Sequence, residues 1–340
     1  MRVGIIGTGA IAHKHAEVYR NIGWEVAAST NIIKEAGEAF VAKWGGDFCP
    51  TWEDVVKHPK VDLVDLCTFP DFRLQPFTLC AEYKKAIQVQ KPIAVNLETA
   101  REMIAIARNA GIVFGVVSQN RFNDAGLFLD KAIRGGRLGK IIEADAYVKW
   151  WRSEEYYSRP IKGSWATEGG GALINQAIHQ VDLLLWLIGR IDEVTAYWHL
   201  GARHKIESED AISTMFRFAN GATGIIQAST AFWPGYTEHI EIHGTKGSAI
   251  ITGDRLTSWD VQGDDEGDPP PIARNVASGS SDPMAISLTP FERQFRDLGE
   301  AIEKGRQPLV GGEDGYRALE FVLSAYDACR SGEKVRIPHG

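Results

Sequence analysis

The sequence opens on a short apolar run, Val3-Gly-Ile-Ile6, that passes directly into Gly7-Thr8-Gly9-Ala10-Ile11-Ala12 and then into a segment with apolar residues at helical spacing. A strand that must stop, turn and become a helix across one glycine-rich step leaves few folds open. Gly7 permits the tight turn, Gly9 lets backbone approach a pyrophosphate, and Ala12 is small enough for helix and strand to lie close. The helix start then offers N–H groups and partial positive charge to phosphates. The alternation continues along the chain. Apolar runs at 25–28, 61–67, 86–90 and 112–117 are separated by amphipathic segments at 34–44, 75–85 and 97–109, with a short extra helix at 52–57. Strands joined by helices imply a parallel sheet covered on both faces.

The second run ends at Ala28, and Ser29-Thr30-Asn31 follows where a residue reading the adenosine ribose is expected, roughly 20 residues past the glycines. No acid stands there to accept from both ribose hydroxyls. Hydroxyls and an amide can donate to a 2′-phosphate instead, with Lys34 adding charge, although no arginine is present. NADP is favoured over NAD on this ground, and both stay open.

At 340 residues the chain has room for about two domains. Lys and Arg number 37 against 44 Asp and Glu, a net charge of −7 that excludes a general attraction to nucleic acid or anionic lipid. No block of basic residues supplies a local one. No apolar run approaches the roughly 18 residues needed to span a bilayer, and the N-terminus carries no leader pattern. Cys49, Cys67, Cys80 and Cys329 share no metal-type spacing, and Cys67 and Cys80 read as buried thiols. A cytoplasmic protein without disulfide or metal is expected.

Four signatures coincide in order and spacing: the opening Val3–Ala12 stretch with His15 on the following helix, Val61-Asp-Leu-Val-Asp-Leu-Cys-Thr-Phe-Pro70, Gln90-Lys91-Pro92, and Glu168-Gly-Gly-Gly-Ala-Leu-Ile-Asn175-Gln-Ala-Ile-His179-Gln-Val-Asp182. Together they resemble the glucose-fructose oxidoreductase/inositol dehydrogenase/rhizopine catabolism family over nearly the whole chain. The resemblance implies an α/β protein with an N-terminal Rossmann domain, a doubly wound parallel sheet over 1–120. A C-terminal α/β domain over 121–340 would be built on an open, mostly antiparallel sheet, with the last helices able to return to the first domain. It implies a polyhydroxylated small-molecule substrate, a sugar, sugar derivative or cyclitol. Three positions depart from the usual pattern: Gln90 replaces a glutamate, Asn175 an aspartate, and Phe69 a proline. The first two remove charges beside the lysine and histidine and exclude a full Asp–His–Lys proton relay.

Lys91 follows the fourth expected strand, at the carboxyl edge where open α/β sheets bind ligands. A cation there can hydrogen-bond a reacting oxygen and stabilise developing alkoxide charge. The bond to Pro92 is a candidate cis peptide. Asn175, His179 and Asp182 are spaced to share one helix face beside Leu183, Leu184 and Leu185. A neutral His179 imidazole can take a hydroxyl proton as hydride leaves the same carbon. Asn175 would orient the hydroxyl or the imidazole, and Asp182 would pair within the domain. Cofactor contacts are expected from Gly7, Thr8, Gly9, Ala10, Ile11, Ser29, Thr30, Asn31, Thr68, Phe69, Pro70, Gln90 and Lys91, and family position adds Asn120. Gly169-Gly-Gly171 would bring backbone close to the nicotinamide or to a helix start.

The stretch Trp150-Trp-Arg-Ser-Glu-Glu-Tyr-Tyr157 with Lys162-Gly-Ser-Trp165 combines ring faces and polar tips suited to a sugar. Trp151, Arg152, Tyr156, Tyr157 and Trp165 are expected at the substrate, with Arg121 joining them by family position. Alternating segments from 211 to 252 fit a sheet open on one face, where two or four copies would pair. His239 and His243 alternate on one strand without an evident third metal ligand. The acidic, proline-rich stretch from Asp264 to Ser281 reads as a surface insertion. The leading reading is an NAD(P)-dependent oxidoreductase acting on a secondary alcohol. A non-catalytic NAD(P)-binding regulator and a redox-assisted glycoside-cleaving enzyme are the alternatives.

Overall fold

The computed structural model describes residues 1–159, 161–263 and 287–338. The stretch expected to be a surface insertion, Asp264 to Ser281, lies outside them. The chain divides into two units, Met1–Ser118 with Leu288–Tyr316, and Gln119–Ser287 with Arg317–Gly340.

The first unit is built on six strands: β1 Arg2–Ile6, β2 Glu25–Thr30, β3 Asp47–Phe48, β4 Leu63–Leu66, β5 Ala86–Val89 and β6 Phe114–Val116. Their spatial order is β3-β2-β1-β4-β5-β6 and every pairing is parallel. The order reverses between β1 and β4, the point at which open sheets of this kind take a ligand. Both faces are covered, so the strands are mostly apolar: Val3, Ile5, Leu63, Val64, Leu66, Ile87 and Val89 are fully buried. The helix Thr289–Lys304 joins this unit, setting Phe295 against His15 and Tyr19 at ring separations of 4.9 and 5.0 Å.

Among the described residues the second unit holds eight strands: β7 Ile141–Lys149, β8 Ile191–Leu200, β9 Glu209–Phe218, β10 Thr223–Ser229, β11 His239–Gly244, β12 Gly247–Thr252, β13 Arg255–Val261 and β14 Val335–Arg336. The order is β13-β12-β11-β7-β10-β9-β8-β14, antiparallel except where β10 meets β7. Residues alternate cleanly between two faces. Ala144, Ala146, Val148, Ile226, Ile240 and Ile242 are buried on one, while Tyr197 and Met215 on the other are 76% and 66% exposed. That alternation is what an antiparallel sheet with one open face requires.

Candidate functional site

In the first unit the glycine turn takes the form its residues dictate. Gly7 has φ of +91° and lies so close to β4 that a Cβ would meet the Cys67 carbonyl at 3.2 Å. A Cβ on Gly9 would meet nothing within 4 Å, so the space above this peptide is open. The helix Ala10–Asn21 starts here with no acid in its first turn and no side-chain cap. Its leading N–H groups have no partner within the helix. Ala12 is fully buried, as close helix–strand packing demands. An open, uncharged peptide edge at a helix start is the chemistry a pyrophosphate needs.

The ribose end needs a correction. β2 runs to Thr30 rather than stopping at Ala28, so Ser29 is fully buried in the strand and Thr30 is 6% exposed. Asn31 is the first residue past the strand. Its Nδ2 donates to Thr8 Oγ1 at 2.6 Å, and its Oδ1 accepts from the Ile33 amide at 2.9 Å. Of the three residues expected there, Asn31 alone stands at the strand end. After β4, the Thr68 hydroxyl is buried without a partner, Phe69 is 41% exposed, and Pro70 opens a turn of 3₁₀ helix, Pro70–Phe72.

Lys91 follows β5 directly. It is half-buried, while Gln90 before it and Pro92, Ile93 and Ala94 after it are all buried. The Lys91–Pro92 peptide is cis. The Gln90 side chain, expected at the cofactor, turns into the unit instead. Its Nε2 lies 2.7 Å from His15 Nε2, His15 Nδ1 lies 2.7 Å from Asp65 Oδ2, and the Tyr19 hydroxyl donates to the same oxygen at 2.7 Å. Burial acts to raise the Asp65 carboxyl, but His15 and the Tyr19 hydroxyl hold it below its usual value. His15, Asp65 and Cys67 bring ligand atoms within 4.8 Å of one another, but in this network the histidine and carboxylate serve each other.

In the second unit Asn175 and His179 stand out by exposure. From Gly171 to Leu184 every other residue is buried, and these two are half-buried. The backbone differs from the single helix expected: Leu173–Ala177 is a π-helical turn that leads into the α-helix Ile178–Leu187. Such turns widen the local spacing and recur at functional sites. Asn175 Nδ2 donates to the Gly170 carbonyl at 3.0 Å. Asp182, as expected, pairs within the domain. Its partner is Arg121, whose Nε and Nη2 donate to it at 2.8 and 2.6 Å, and both side chains are buried. The Arg121 charge is thus paired inside the unit. Asn120, expected near a nicotinamide, precedes it in a 3₁₀ turn, Gln119–Phe122.

The three glycines answer to neither nicotinamide nor helix start alone. A Cβ on Gly171 would fall 1.8 Å from the Glu209 carbonyl oxygen, and one on Gly170 would fall 2.4 Å from the Tyr326 hydroxyl. The buried Glu209 carboxylate accepts from the Gly171 and Leu173 amides at 2.8 and 2.9 Å and from the Tyr326 hydroxyl at 2.7 Å. It thereby serves the open amides at the start of the segment that carries Asn175 and His179. Burial pushes this carboxyl up to about 7, against the pull of those donors.

The aromatic stretch is spread over three settings. Trp151 meets Trp233 edge to face at 4.8 Å. Arg152 is buried, over the Trp150 and Tyr156 rings. The Tyr156 hydroxyl accepts from Gln176 Nε2 at 3.3 Å, next in sequence to Asn175, and Lys162 lies over its ring. Lys162 in turn pairs with Glu168. Tyr157 shares a hydrogen bond of 2.8 Å with Thr230, and burial raises its hydroxyl pKa. Trp165 lies apart from these, in a cluster with Trp198, Tyr326 and Arg330, its Nε1 donating to the Glu207 carbonyl at 3.0 Å. Glu241 sits between His239 and His243, 3.4 and 3.5 Å from them, on the strand face that the three share. Glu209 and Tyr326 were missed because their contacts to the glycines join residues distant in sequence.

Residues 1–118 match the oxidoreductase family described as an NAD-binding Rossmann fold, and residues 127–250 match the GFO/IDH/MocA C-terminal domain. The chain is 28% identical to the 1,5-anhydro-D-fructose reductase of Ensifer adhaerens, across 100% of this chain and 99% of that protein. It is 27% identical to the myo-inositol 2-dehydrogenase of Thermotoga maritima, across 99% and 97%. Among solved structures, the WlbA dehydrogenase of Bordetella pertussis in complex with NADH and UDP-GlcNAcA superimposes with a TM-score of 0.87 at 27% identity, covering 99% of this chain and 98% of that one. No helix among the described residues is long and apolar enough to cross a membrane. With both of its halves matched and a glycine turn and sheet order of the form these proteins share, the chain belongs to the GFO/IDH/MocA family of oxidoreductases.

Proposed function

We propose that this oxidoreductase moves a hydride between a nicotinamide cofactor and a secondary alcohol carbon of a sugar, sugar derivative or cyclitol. The observation that carries the reading is the exposure of Asn175 and His179 in an otherwise buried segment, with Lys91 in the like position between buried neighbours. Chemistry-bearing side chains that alone reach solvent at an element's end are poised for a ligand. The relatives support the substrate class, since an anhydrofructose and myo-inositol, for which two of them are named, are polyhydroxylated rings.

The bound dinucleotide would supply the hydride-accepting carbon. Gly7, Thr8, Gly9 and the Ala10 and Ile11 amides would hold its pyrophosphate, and Asn31 its ribose. His179 takes a hydroxyl proton, Asn175 orients that hydroxyl, and the Lys91 ammonium hydrogen-bonds a substrate oxygen that gains negative charge. Preorganised donors of this sort lower a barrier because they need no rearrangement as charge develops. NADP is favoured over NAD because Asn31 stands where an acid would repel a 2′-phosphate. A second copy would cover the open sheet face that bears Tyr197 and Met215.

The test is a screen of sugars, inositols and sugar nucleotides with each cofactor, following nicotinamide absorbance. Turnover on members of this class supports the reading. Cofactor binding without turnover on any of them contradicts it.

A further inference from the structure

Among the largest fully buried side chains of the described residues is a cation, Arg73, 2% exposed at the head of the helix Leu74–Glu82. A guanidinium so placed needs a reason, because taking a charge out of water is expensive unless its donors are all used. Among the described residues it makes no ion pair. Instead it donates only to main-chain carbonyls. Nε and Nη2 reach the Thr68 carbonyl at 3.2 and 2.7 Å, and Nη1 bonds the carbonyls of Gln90 and Pro92, with Ile93 at 3.5 Å. These carbonyls belong to two different loops, one after β4 and one after β5. Gln90 and Pro92 flank Lys91 on either side.

Burial lowers the Arg73 guanidinium to about 9, offset by Cys67, Asp65 and Asp71, so it is a cation at neutral pH. Charged donors make stronger hydrogen bonds than neutral ones, and the planar fork fixes the direction of each. Nothing in the sequence pattern marks this residue: a lone arginine before an amphipathic segment reads as surface charge.

We propose that Arg73 is a positioning residue, which clamps the main chain on both sides of Lys91 and ties it to the Thr68 loop, so that the lysine is presented in one place. The proposal rests on the reading of Lys91 as the group that polarises the reacting oxygen. Gln90, held by His15 from the opposite side, completes the grip.

The experiment is a double-mutant cycle on the full chain, with Arg73→Lys and Lys91→Ala alone and together. Steady-state kinetics is joined by calorimetry of cofactor binding and by thermal unfolding. Lysine keeps the charge but loses the fork, so Arg73→Lys should lower kcat by about 10-fold or more, with cofactor affinity within about threefold of wild type. In the Lys91→Ala background the same change should lower kcat by less than about twofold, because there is no lysine left to place. Arg73→Ala leaves a hole of guanidinium size, and guanidinium at low millimolar concentration should restore much of the loss where methylammonium does not. If Arg73→Ala does not fold, the Arg73→Lys cycle decides alone. A folded Arg73→Lys with wild-type kcat overturns the proposal. So does an equal loss with and without Lys91, which would make the arginine a purely structural clamp. Should Lys91→Ala by itself retain wild-type kcat, the underlying reading of the lysine fails, and that outcome is visible separately.

Discussion

At the scale of single residues, the molecule separates glycines that open space from glycines that surrender it. Gly9 faces nothing, whereas Gly171 lies against the Glu209 carbonyl. Gly9→Ala should leave the unfolding midpoint nearly unchanged, and Gly171→Ala should cost about 3 kcal/mol, since backbone cannot yield as a flexible side chain can. Thermal or urea unfolding of the two variants checks this, and equal stability would contradict it. Asn31 is the other informative residue. It follows β2 and binds Thr8, leaving an uncharged position at the ribose end of the glycine turn. Asn31→Asp should move cofactor preference toward NAD by about tenfold, roughly 1.4 kcal/mol. Calorimetry with each dinucleotide reads it directly, and an unchanged ratio would place ribose recognition elsewhere.

At the scale of elements, what could be read from sequence follows from what period and spacing encode. The helices Lys34–Trp44 and Trp52–Lys57 end where their apolar stripes end. β3 escaped notice because two residues, Asp47–Phe48, carry no period. β2 was cut short because Ser29 and Thr30 look like a loop, yet parallel pairing with Ile5 and Ile6 holds both in the sheet. The π-turn Leu173–Ala177 has no signature in a pattern that assumes one helical period. Long-range polar partners were the least legible. The Arg121–Asp182 pair spans 61 residues and the Tyr326–Glu209 bond 117, so neither end identifies the other. Nothing near Arg121 in sequence tells that its charge is paired inside the unit. By contrast, the polar character of Asn175 and His179 within an apolar run is legible at once, and both are half-buried where Gln176, Gln180 and Asp182 are buried.

At the scale of the whole molecule, two properties remain to be drawn from the parts. The open face of the second unit's sheet carries Tyr197 and Met215 far more exposed than large apolar side chains usually are. Light scattering should find the protein as a multiple of its 37.5 kDa chain, and Met215→Arg, which sets a charge amid that face, should shift it to the single-chain mass. A wild-type protein already at the single-chain mass would contradict this. The reading turns on His179, in the second unit, taking the proton of the reacting hydroxyl. A crystal structure with dinucleotide and a turned-over polyol bound tests it most directly. It should show a His179 ring nitrogen within hydrogen-bond reach of the substrate's reacting oxygen, about 3.2 Å or less; a substrate whose reacting oxygen His179 does not meet would contradict the reading.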